Sequence, residues 1–567
     1  MPSLLRTLAA AALTVSSVVI CVTTLDQVCT PGYAHAALPA PGFYPGITID
    51  TTSISTSIVT NRTVKSDWFP ASTISYCNVT FAYSHNGIPN DRVHVTYWVP
   101  SPDTFQNRYV STGGGGLAIN SASSSIPTGV IAGAVSGLTD GGFGSFTTQW
   151  DAVFLLADGT INWQSVHMFG YQAHRELAVL GKEFTRKLFR LTSTQKLYSY
   201  YQGCSEGGRE GWSQLQRFAD QFDGAAIGAP AFRYGQQQVN HLTSNVVEQT
   251  LGYFPPPCEL EKIVNLTVAA CDGLDGRLDG IIARSDLWGV GPPPGGPLLR
   301  QRQFSGGGPT PAQNGTVTAK AIAVAQTILN GLHDSQGRLV YLSYALGASF
   351  ADGKTSYNAT SKTWGLSISG LGGEWVRRFL QLHPENTLPT LQNVTYDTLK
   401  EWMILGQNRY TDTLQTTYPD LSPLKAAGAK VIHVHGEADD SIPVGSSVHY
   451  YNSVRSAMYP QLSYNASVVA LDEFYRLYLV PGGAHCGPGR SAPGGGPWPQ
   501  TTLQTVMEWV EKGVAPARLS ATGGGIDELC KWPLRPLWLA GKMECVYDQA
   551  SIDTWKHDFD AYNTPLY

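Results

Sequence analysis

Hydrophobic and polar positions alternate in two different ways along this chain, and the alternation predicts a fold built from strands and helices. Short apolar or aromatic runs predict buried strands, and they lie at residues 196–201, 153–156, 225–227, 431–435 and 475–480. Apolar residues at helical spacing predict helices at 167–189 and 503–510, the second ending at Gly513. Alternating strands and helices predict an α/β fold with a mostly parallel sheet.

The alternation fades between residues 229 and 425, which predicts an inserted domain there. The two flanking segments, 26–228 and 426–567, are then expected to build one α/β domain together. Within the insertion, residues 289–311 are rich in Gly and Pro and include Arg300 and Arg302. Such a segment predicts an exposed loop that is a candidate for proteolytic nicking.

Residues 1–25 have the pattern of an export signal. Arg6 precedes an apolar run at 8–22, which is short for a membrane span, and no later segment qualifies. A core helix at the N-terminus is the alternative. Export is also supported by sequons without a central Pro, at Asn61, Asn78, Asn265, Asn314, Asn358, Asn393 and Asn465. The sequence therefore predicts a secreted, extracellular glycoprotein.

Composition narrows the classes of partner. Charged residues make up 14% of the chain, the formal net charge is -5, and no long run of one sign occurs. This disfavours nucleic acid or a membrane surface as the main partner, and leaves a homo-oligomer open. Of nine Cys, one (Cys21) falls in the predicted signal, and an even number remains. In an oxidising compartment these favour disulfides, and the absence of C-x-x-C pairs disfavours zinc.

Ser205 is the candidate nucleophile. It lies in Gly203-x-Ser205-x-Gly207, between a predicted strand and a helical pattern formed by Trp212, Leu215, Ala219 and Phe222. The match alone is weak evidence, but a tight strand-to-helix turn would project the Ser hydroxyl above the sheet. Serine catalysis also needs a base and a carboxylate that orients the base.

Candidates for both partners follow predicted strands in the order that α/β-hydrolases use. Asp439 follows the strand at 431–435, and His485 follows the strand at 475–480. Asp440 is the alternative carboxylate. We interpret His433 and His435 as strand residues that make local hydrogen bonds.

The oxyanion of such a reaction needs backbone donors. The N–H of Glu206 is one candidate because this residue follows the nucleophile. The second donor is predicted to be Gly114 or Gly115, within the Gly run that follows the strand ending at Val110. A phosphate-binding loop is disfavoured, because the run lacks the Lys-Ser/Thr of a P-loop and the spacing of a dinucleotide fingerprint.

Two half-cystines flank the candidate triad. Cys204 precedes Ser205 and Cys486 follows His485. If Ser and His meet, their neighbours must also be close, which predicts a Cys204–Cys486 disulfide. Two buried thiols are the alternative, which the oxidising compartment disfavours.

These motifs resemble the tannase and feruloyl esterase family, which carries Cys-Ser, Asp and His-Cys elements in this order. The resemblance covers nearly the whole chain, through YCNVT at 76–80, GTINW at 159–163, CSEGGREG at 204–211, GAPAFR at 228–233, PPPCEL at 255–260, HGEAD at 435–439, SSVHYY at 446–451, GGAHCG at 482–487 and the terminal PLY. It implies an α/β-hydrolase core with a large lid, here 229–425, inserted after the nucleophile helix. It also implies a serine esterase that hydrolyses galloyl ester and depside bonds of tannins, releases gallic acid and needs no organic cofactor.

Three other functions remain open at this stage. A feruloyl esterase would act on hydroxycinnamate esters of plant cell walls. A non-catalytic secreted protein would bind phenolic compounds or glycans, although the intact Ser, Asp and His argue against it. A serine peptidase could use the same core. Trp364, Glu374, Trp375 and Trp402 could contact a phenol ring, but each also fits ordinary packing.

Asp272, Asp275 and Asp279 form a Gly-interrupted cluster. Hard oxygen ligands on such a loop suit Ca²⁺, and ordinary Asp-Gly turns are the alternative. The resemblance implies a structural calcium ion in the lid, with the carbonyls of Arg277 and Ile281 completing the ligands.

The remaining Cys residues leave their connectivity open. We take Cys29–Cys77 and Cys530–Cys545 as hypotheses. Family members often carry a Cys after the Asp loop, where this chain has Trp288. Cys258 and Cys271 are therefore expected either to pair with each other or to remain thiols.

Overall fold

A nine-stranded sheet forms the centre of the computed structural model, which describes residues 24–287, 316–489 and 496–567. In chain order its strands are β1 (Ile47–Ser66), β2 (Phe69–His85), β3 (Val93–Pro100), β4 (Arg108–Thr112), β5 (Ala134–Thr139), β6 (Tyr198–Cys204), β7 (Gly224–Gly228), β8 (Lys430–Gly436) and β9 (Tyr475–Val480). Their order across the sheet is β1-β2-β3-β5-β4-β6-β7-β8-β9. The run from β5 to β9 is parallel, whereas β1, β2 and β3 are antiparallel to their neighbours. The predicted α/β class with a mostly parallel sheet is confirmed.

Helices and small hairpins surround this sheet. The helices are Leu25–Val28, Pro31–Ala36, Pro127–Ile131, Trp163–His167, Ala173–Leu188, Glu206–Arg217, Tyr234–Asn240, Thr243–Leu251, Pro257–Cys271, Ala319–Leu329, Gly370–Glu374, Tyr396–Tyr410, Ser422–Ala426, Gly445–Met458, Tyr464–Leu471, Thr502–Lys512 and Gln549–Thr554. The two-stranded hairpins pair Leu155–Ala157 with Thr160–Ile161, Leu332–His333 with Leu339–Tyr341, Thr355–Asn358 with Thr363–Leu366, Arg518–Ser520 with Glu528–Cys530, and Arg535–Leu539 with Lys542–Val546.

The strand predicted at 153–156 is wrong as a sheet strand. Trp150–Val153 forms a 3-10 turn, and Leu155–Ala157 pairs only with Thr160–Ile161. Phe154 is fully buried with its ring 4.4 Å from that of Phe379, whereas Leu156 is 69% exposed. The apolar run thus supplies one side chain to an aromatic cluster. The other four predicted strands coincide with β6, β7, β8 and β9.

The predicted helices are present with shifted bounds. The one expected at 167–189 is Ala173–Leu188, preceded by a wider π-helical turn. The helix after Ser205 ends at Arg217, so Phe222 reaches the core from the following loop. Thr502–Lys512 ends at Gly513, whose φ of 71° is the left-handed conformation of a helix end.

Helices cover both faces of the parallel strands, because successive side chains point to opposite faces. Tyr200 packs in the cluster with helix Thr502–Lys512, and Tyr201 packs in the cluster with helix Ala173–Leu188. The second helix lies close to the sheet at Gly181, where a Cβ atom would lie 2.4 Å from the Tyr109 ring. The core therefore sits in two layers around one sheet.

The predicted insertion lies between two neighbouring strands. β7 ends at Gly228, β8 begins at Lys430, and the two pair in parallel. In the described part of the interval between them, only helices and small hairpins occur, and none of these hairpin strands joins the large sheet. Because the two strands are parallel, the insertion leaves at the edge of the sheet where β7 ends and returns at the opposite edge, where β8 begins beside Gly224.

Several predictions concern the surface and the N-terminus. Residues 1–23 of the export signal predicted at 1–25, the 289–311 loop and Asn314 lie outside the described residues. Across the described ranges, no helix is both long and apolar enough for a bilayer span. Asn78 is half-buried and accepts a hydrogen bond from the Thr96 hydroxyl at 2.6 Å. The exposed sequon residues are Asn61, Asn265, Asn358, Asn393 and Asn465.

Candidate active site

Ser205 occupies a tight turn between β6 and helix Glu206–Arg217. Its φ of 63° and ψ of -122° are strained for a residue with a side chain. The turn depends on close backbone contacts: a Cβ atom at Gly203 would lie 2.5 Å from the carbonyl oxygen of Gly207. At Gly207, a Cβ atom would lie 2.8 Å from the carbonyl oxygen of Gly114. Gly on both sides of the Ser is therefore required by the local geometry.

Three segments that are distant in sequence meet at this turn. The Ser205 Oγ lies 2.8 Å from His485 Nε2, and His485 Nδ1 lies 2.8 Å from Asp439 Oδ2. Asp439 follows β8 and His485 follows β9, so both come from the same edge of the sheet as Ser205. The spacing fits a hydroxyl, a base that takes its proton, and a carboxylate that orients the base.

The carboxylate of Asp439 is buried and fully engaged. Its Oδ1 accepts hydrogen bonds from the backbone N–H groups of Ser441 and Ile442, each at 2.8 Å. Burial alone would raise the pKa of Asp439, but the charge of His485 and hydrogen bonds from His435 and His485 hold it well below its usual range. Asp439 is therefore ionised at neutral pH.

Burial alone would lower the pKa of His485, but two carboxylates act in the opposite direction. Asp439 raises this pKa most, and Asp440 raises it further, so the pKa lies above its usual value. Asp440 does not contact the imidazole; its Oδ2 accepts a hydrogen bond from the Ser349 hydroxyl in the insertion. The structure thus pairs His485 with Asp439 and leaves Asp440 an indirect electrostatic role.

A disulfide joins the turn of Ser205 to the loop of His485. Cys204 and Cys486 are bonded across 282 positions of sequence, with their Cα atoms 6.0 Å apart. Cys486 has a φ of 59°, and its carbonyl accepts a hydrogen bond from Trp68 Nε1 at 3.0 Å. The same loop touches the Asp439 turn, because the N–H of Ala438 donates to the Gly483 carbonyl at 2.8 Å.

The predicted Gly donors of the oxyanion hole need correction. The N–H of Gly114 donates to Glu210 Oε2 at 2.8 Å, and the N–H of Gly115 donates to the Ala118 carbonyl at 3.0 Å. Neither N–H is directed to a substrate oxygen, because each is already bonded within the protein. Glu206 is different: it begins its helix, and among the described residues no acceptor takes its N–H.

Glu210 fixes the Gly loop against the nucleophile helix, a contact that the sequence did not suggest. The carboxylate of Glu210 is fully buried and holds the Gly114 N–H, while the Gly114 carbonyl accepts from the Gly207 N–H at 3.1 Å. The Glu206 side chain points elsewhere and pairs with Arg209, whose Nε donates to it at 2.7 Å. The one sequence signal for this contact is that Glu210 lies one helical turn after Glu206, on the nucleophile helix.

The other Cys residues give two disulfides and two thiols. Cys29 is bonded to Cys77, and Cys530 is bonded to Cys545, as hypothesised from the sequence. The alternative of a Cys258–Cys271 disulfide is wrong: both are buried thiols, and burial raises the pKa of each to about 11. They lie near opposite ends of helix Pro257–Cys271, roughly 20 Å apart at the rise of an α-helix, whereas a disulfide needs Cα atoms within about 7 Å.

The Asp loop is ordered by its own backbone. Asp272 Oδ1 accepts from the N–H groups of Asp279 and Gly280, each at 3.0 Å, and of Ile281 at 3.3 Å. Asp275 Oδ1 accepts from the Arg277 N–H at 2.9 Å, while its Oδ2 is buried and unpaired within the described part of the chain. No group of three or more His, Cys, Asp or Glu side chains is arranged to hold a metal ion in the described ranges.

Trp375, one of the four residues considered for contact with a phenol ring, serves packing. It is 1% exposed, and its ring lies 5.2 Å from those of Tyr234 and Phe379.

His435 is the other residue whose place the sequence did not show. Its Nε2 lies 3.2 Å from Asp439 Oδ2, so this strand residue contacts the triad carboxylate. The two residues are four positions apart, but His435 lies in β8 and Asp439 lies in the turn after it. Neither helical nor strand periodicity therefore predicts this contact.

Comparisons with known proteins find similar sequences and a solved structure with a similar fold. The sequence model of the family described as tannase and feruloyl esterase matches residues 77–552. The chain is 43% identical over 577 residues to the tannase of Aspergillus oryzae, covering 96% of this chain and 97% of that protein. It is 30% identical to a probable feruloyl esterase of Arthroderma benhamiae, covering 85% and 88% of the two chains. The solved structure of tannin acyl hydrolase from Aspergillus niger superposes with a TM-score of 0.92 at 54% identity, covering 96% and 99%.

Removing the disulfide beside Ser205 is expected to lower kcat, which removal of the distant Cys530–Cys545 disulfide should not do. In Cys204→Ser/Cys486→Ser the two turns are no longer joined, and a shift of about 1 Å between Ser205 and His485 can lower kcat by roughly 10- to 100-fold. The measurement is kcat for ester hydrolysis beside the thermal unfolding temperature. The control is Cys530→Ser/Cys545→Ser, which should lower the unfolding temperature and leave kcat unchanged. Equal kcat in the two double variants would contradict the expectation.

Neutralising Asp440 is expected to shift the pH profile to lower pH. The Asp440 charge favours the imidazolium form, so Asp440→Asn should lower the pKa of His485 and keep the basic form at lower pH. The acidic limb of kcat/KM should then move to lower pH. Asp103→Asn, at an exposed site, is the control and should leave the limb in place. A limb that stays or moves up in Asp440→Asn would refute the electrostatic role.

Proposed function

The chain belongs to the tannase and feruloyl esterase family, and we propose that it is a serine esterase that releases gallic acid from the galloyl esters and depsides of tannins. The observation that carries the proposal is the contact of Ser205, His485 and Asp439, at 2.8 Å for each pair. The similarity to tannase, at 43% identity over nearly the whole chain, favours tannin esters over feruloyl esters. The chain is thus a carboxylic ester hydrolase.

The first half of the reaction forms an acyl-enzyme. His485 Nε2 takes the proton of Ser205, and Oγ forms a bond to the ester carbonyl carbon. The carbonyl oxygen becomes an oxyanion, for which the free N–H of Glu206 is one donor. When the oxyanion collapses, the bond to the alcohol oxygen breaks and His485 returns the proton to the leaving alcohol.

The second half releases the acid. A water molecule gives its proton to His485 Nε2 and attacks the acyl carbon. Ser205 then leaves as the alkoxide and takes the proton back from the imidazole. Asp439 stays ionised throughout and holds Nδ1–H, so the imidazole keeps the tautomer that both halves require.

The fold offers a place for a substrate-covering segment. We propose that the core is an α/β-hydrolase core and that residues 229–425 act as a lid. Support comes from the position of the insertion, which begins where β7 ends, at the edge of the sheet that carries the triad. The hydrogen bond from Ser349 to Asp440 also joins the insertion to the turn of the triad carboxylate. Secretion and glycosylation are proposed from the N-terminal pattern and the exposed sequon residues.

A calcium ion is proposed as a structural element of the 272–281 loop. Asp275 Oδ2 supports this, because it is buried and has no hydrogen-bond partner among the described residues, so a cation would neutralise it. The donors are the hard oxygens that Ca²⁺ prefers. The side chains of Asp272, Asp275 and Asp279 and the carbonyls of Arg277 and Ile281 would hold the ion. It would stabilise the loop and take no part in the reaction.

The substrate class is tested by comparing two methyl esters. Methyl gallate should be hydrolysed with at least about 10-fold higher kcat/KM than methyl ferulate, since one to two kcal/mol of differential contact suffices. Ser205→Ala should abolish both activities and retain the wild-type unfolding temperature. A preference for ferulate would assign a feruloyl esterase instead. Binding of gallate esters with neither hydrolysis nor labelling of Ser205 by a serine-directed phosphonate would indicate a non-catalytic binding protein.

The calcium proposal is tested by thermal unfolding. Chelation should lower the unfolding temperature by roughly 2–5 °C, and added Ca²⁺ should restore it. Asp275→Asn should make the protein insensitive to chelator, whereas Asp103→Asn should respond as the wild type does. An unfolding temperature that does not change on chelation of the wild type would refute a calcium site here.

A further inference from the structure

We propose that His435 is a positioning residue for the triad carboxylate, and that a buried chain of hydrogen bonds sets its orientation. The inference rests on the proposed function, in which Asp439 orients the catalytic imidazole. It assigns a role to side chains behind the triad that never touch the substrate.

His435 contacts both ends of the turn that carries the carboxylate. Its Nε2 lies 3.0 Å from the carbonyl oxygen of Ile442 and 3.2 Å from Asp439 Oδ2. The N–H of Ile442 in turn donates to the other oxygen of Asp439. The carboxylate therefore has two backbone donors on Oδ1, and the two imidazoles of His435 and His485 beside Oδ2. This fills the four acceptor positions of a carboxylate.

Behind His435, the hydrogen bonds continue into the core. His435 Nδ1 lies 2.7 Å from Ser447 Oγ, and Ser447 Oγ lies 2.9 Å from His433 Nε2. His433 Nδ1 lies 2.9 Å from Tyr475 Oη. All four side chains are fully buried, so water does not compete for these groups.

The partners determine where the protons lie. Both atoms that face His435 Nε2 are acceptors, so Nε2 carries a proton; in the tautomer that has this ring proton alone, Nδ1 is an acceptor. Ser447 then donates its one proton to His435 and accepts from His433 Nε2. His433 accepts at Nδ1 from the Tyr475 hydroxyl.

Burial supports this assignment at the far end of the chain. It lowers the pKa of His433 well below its usual value, which keeps the ring neutral. Burial also raises the pKa of Tyr475 well above its usual value, so the phenol keeps its proton.

Every donor in this chain points towards Asp439. Hydrogen bonds that share one direction polarise each other, so the His435 N–H is a stronger donor than an isolated imidazole. The chain also holds the His435 ring in one orientation and one tautomer. The expected consequence is a carboxylate, and through it an imidazole, held where Ser205 needs them.

The first test compares two amides at position 435. Gln can place its N–H near the position of His Nε2 and retain donation to the turn, whereas Asn is too short to reach it. His435→Asn should lower kcat by roughly 10- to 100-fold with little change in KM, and His435→Gln should lose less than about 5-fold. His449 is a half-buried histidine that bonds to the Leu566 carbonyl and not to the triad. His449→Asn is the control and should leave kcat unchanged.

Activity is expressed per active site, counted by titration with a serine-directed phosphonate. This separates positioning from partial unfolding, because unfolded molecules are not counted. Equal kcat for His435→Asn and His435→Gln, or a loss that appears in KM alone, would overturn the inference. The rate of Ser205 phosphonylation should rank the variants in the same order, since it also needs His485 as base. This rate is measured even if the wild type fails to hydrolyse gallate esters, so a wrong substrate assignment and a wrong role for His435 are distinguishable.

A second pair tests the far end of the chain with one-atom changes that preserve packing. Tyr475→Phe removes the hydroxyl that bonds to His433. Tyr451→Phe removes a hydroxyl from a neighbouring buried ring, 5.3 Å away, that has no partner among the described residues. Tyr475→Phe should lower kcat per site by roughly 2- to 5-fold, and Tyr451→Phe should not. Equal values for the two variants would show that the chain does not act on the triad.

Discussion

The site depends on one constraint: parallel strands of a sheet end at the same edge. β6, β8 and β9 carry Ser205, Asp439 and His485 just beyond their carboxyl ends, so residues distant in sequence come within hydrogen-bond distance. This is the edge where ligands bind in open α/β sheets. Close backbone approach at Gly203 and Gly207 and the Cys204–Cys486 bond then reduce the remaining freedom of the turns. The sheet brings the three side chains together, and these contacts then fix their positions.

Most of this arrangement could be predicted from the sequence, because its signals are local. The strands β6 to β9 are short apolar runs with turn residues directly after them, and the three triad candidates stand in those turns. The half-cystine beside Ser205 and the one beside His485 gave a geometric argument that needs no structure. The α/β class followed from the same alternation.

The parts that could not be predicted depend on contacts between segments. Whether the Gly114 N–H is available depends on Glu210, which reaches it from the neighbouring helix. The separation of Cys258 and Cys271 depends on one unbroken helix between them. The apolar run at 153–156 read as a strand because the aromatic cluster that buries Phe154 is assembled from distant residues. His435 looked like an ordinary strand residue because its partner Ser447, on helix Gly445–Met458, becomes a neighbour only in the fold.

The bond between Cys204 and Cys486 also makes the linkage of the two turns depend on the redox state of the compartment in which the chain folds. A chain made in the reducing cytosol has both sulfurs as thiols, and glutathione and thioredoxin keep them so. The turns of Ser205 and His485 become linked through the two sulfur atoms only after oxidation. For recombinant production, a host that folds this protein in its cytosol yields a chain whose two reactive turns are unlinked, whereas one that folds it in the endoplasmic reticulum or periplasm yields the linked form.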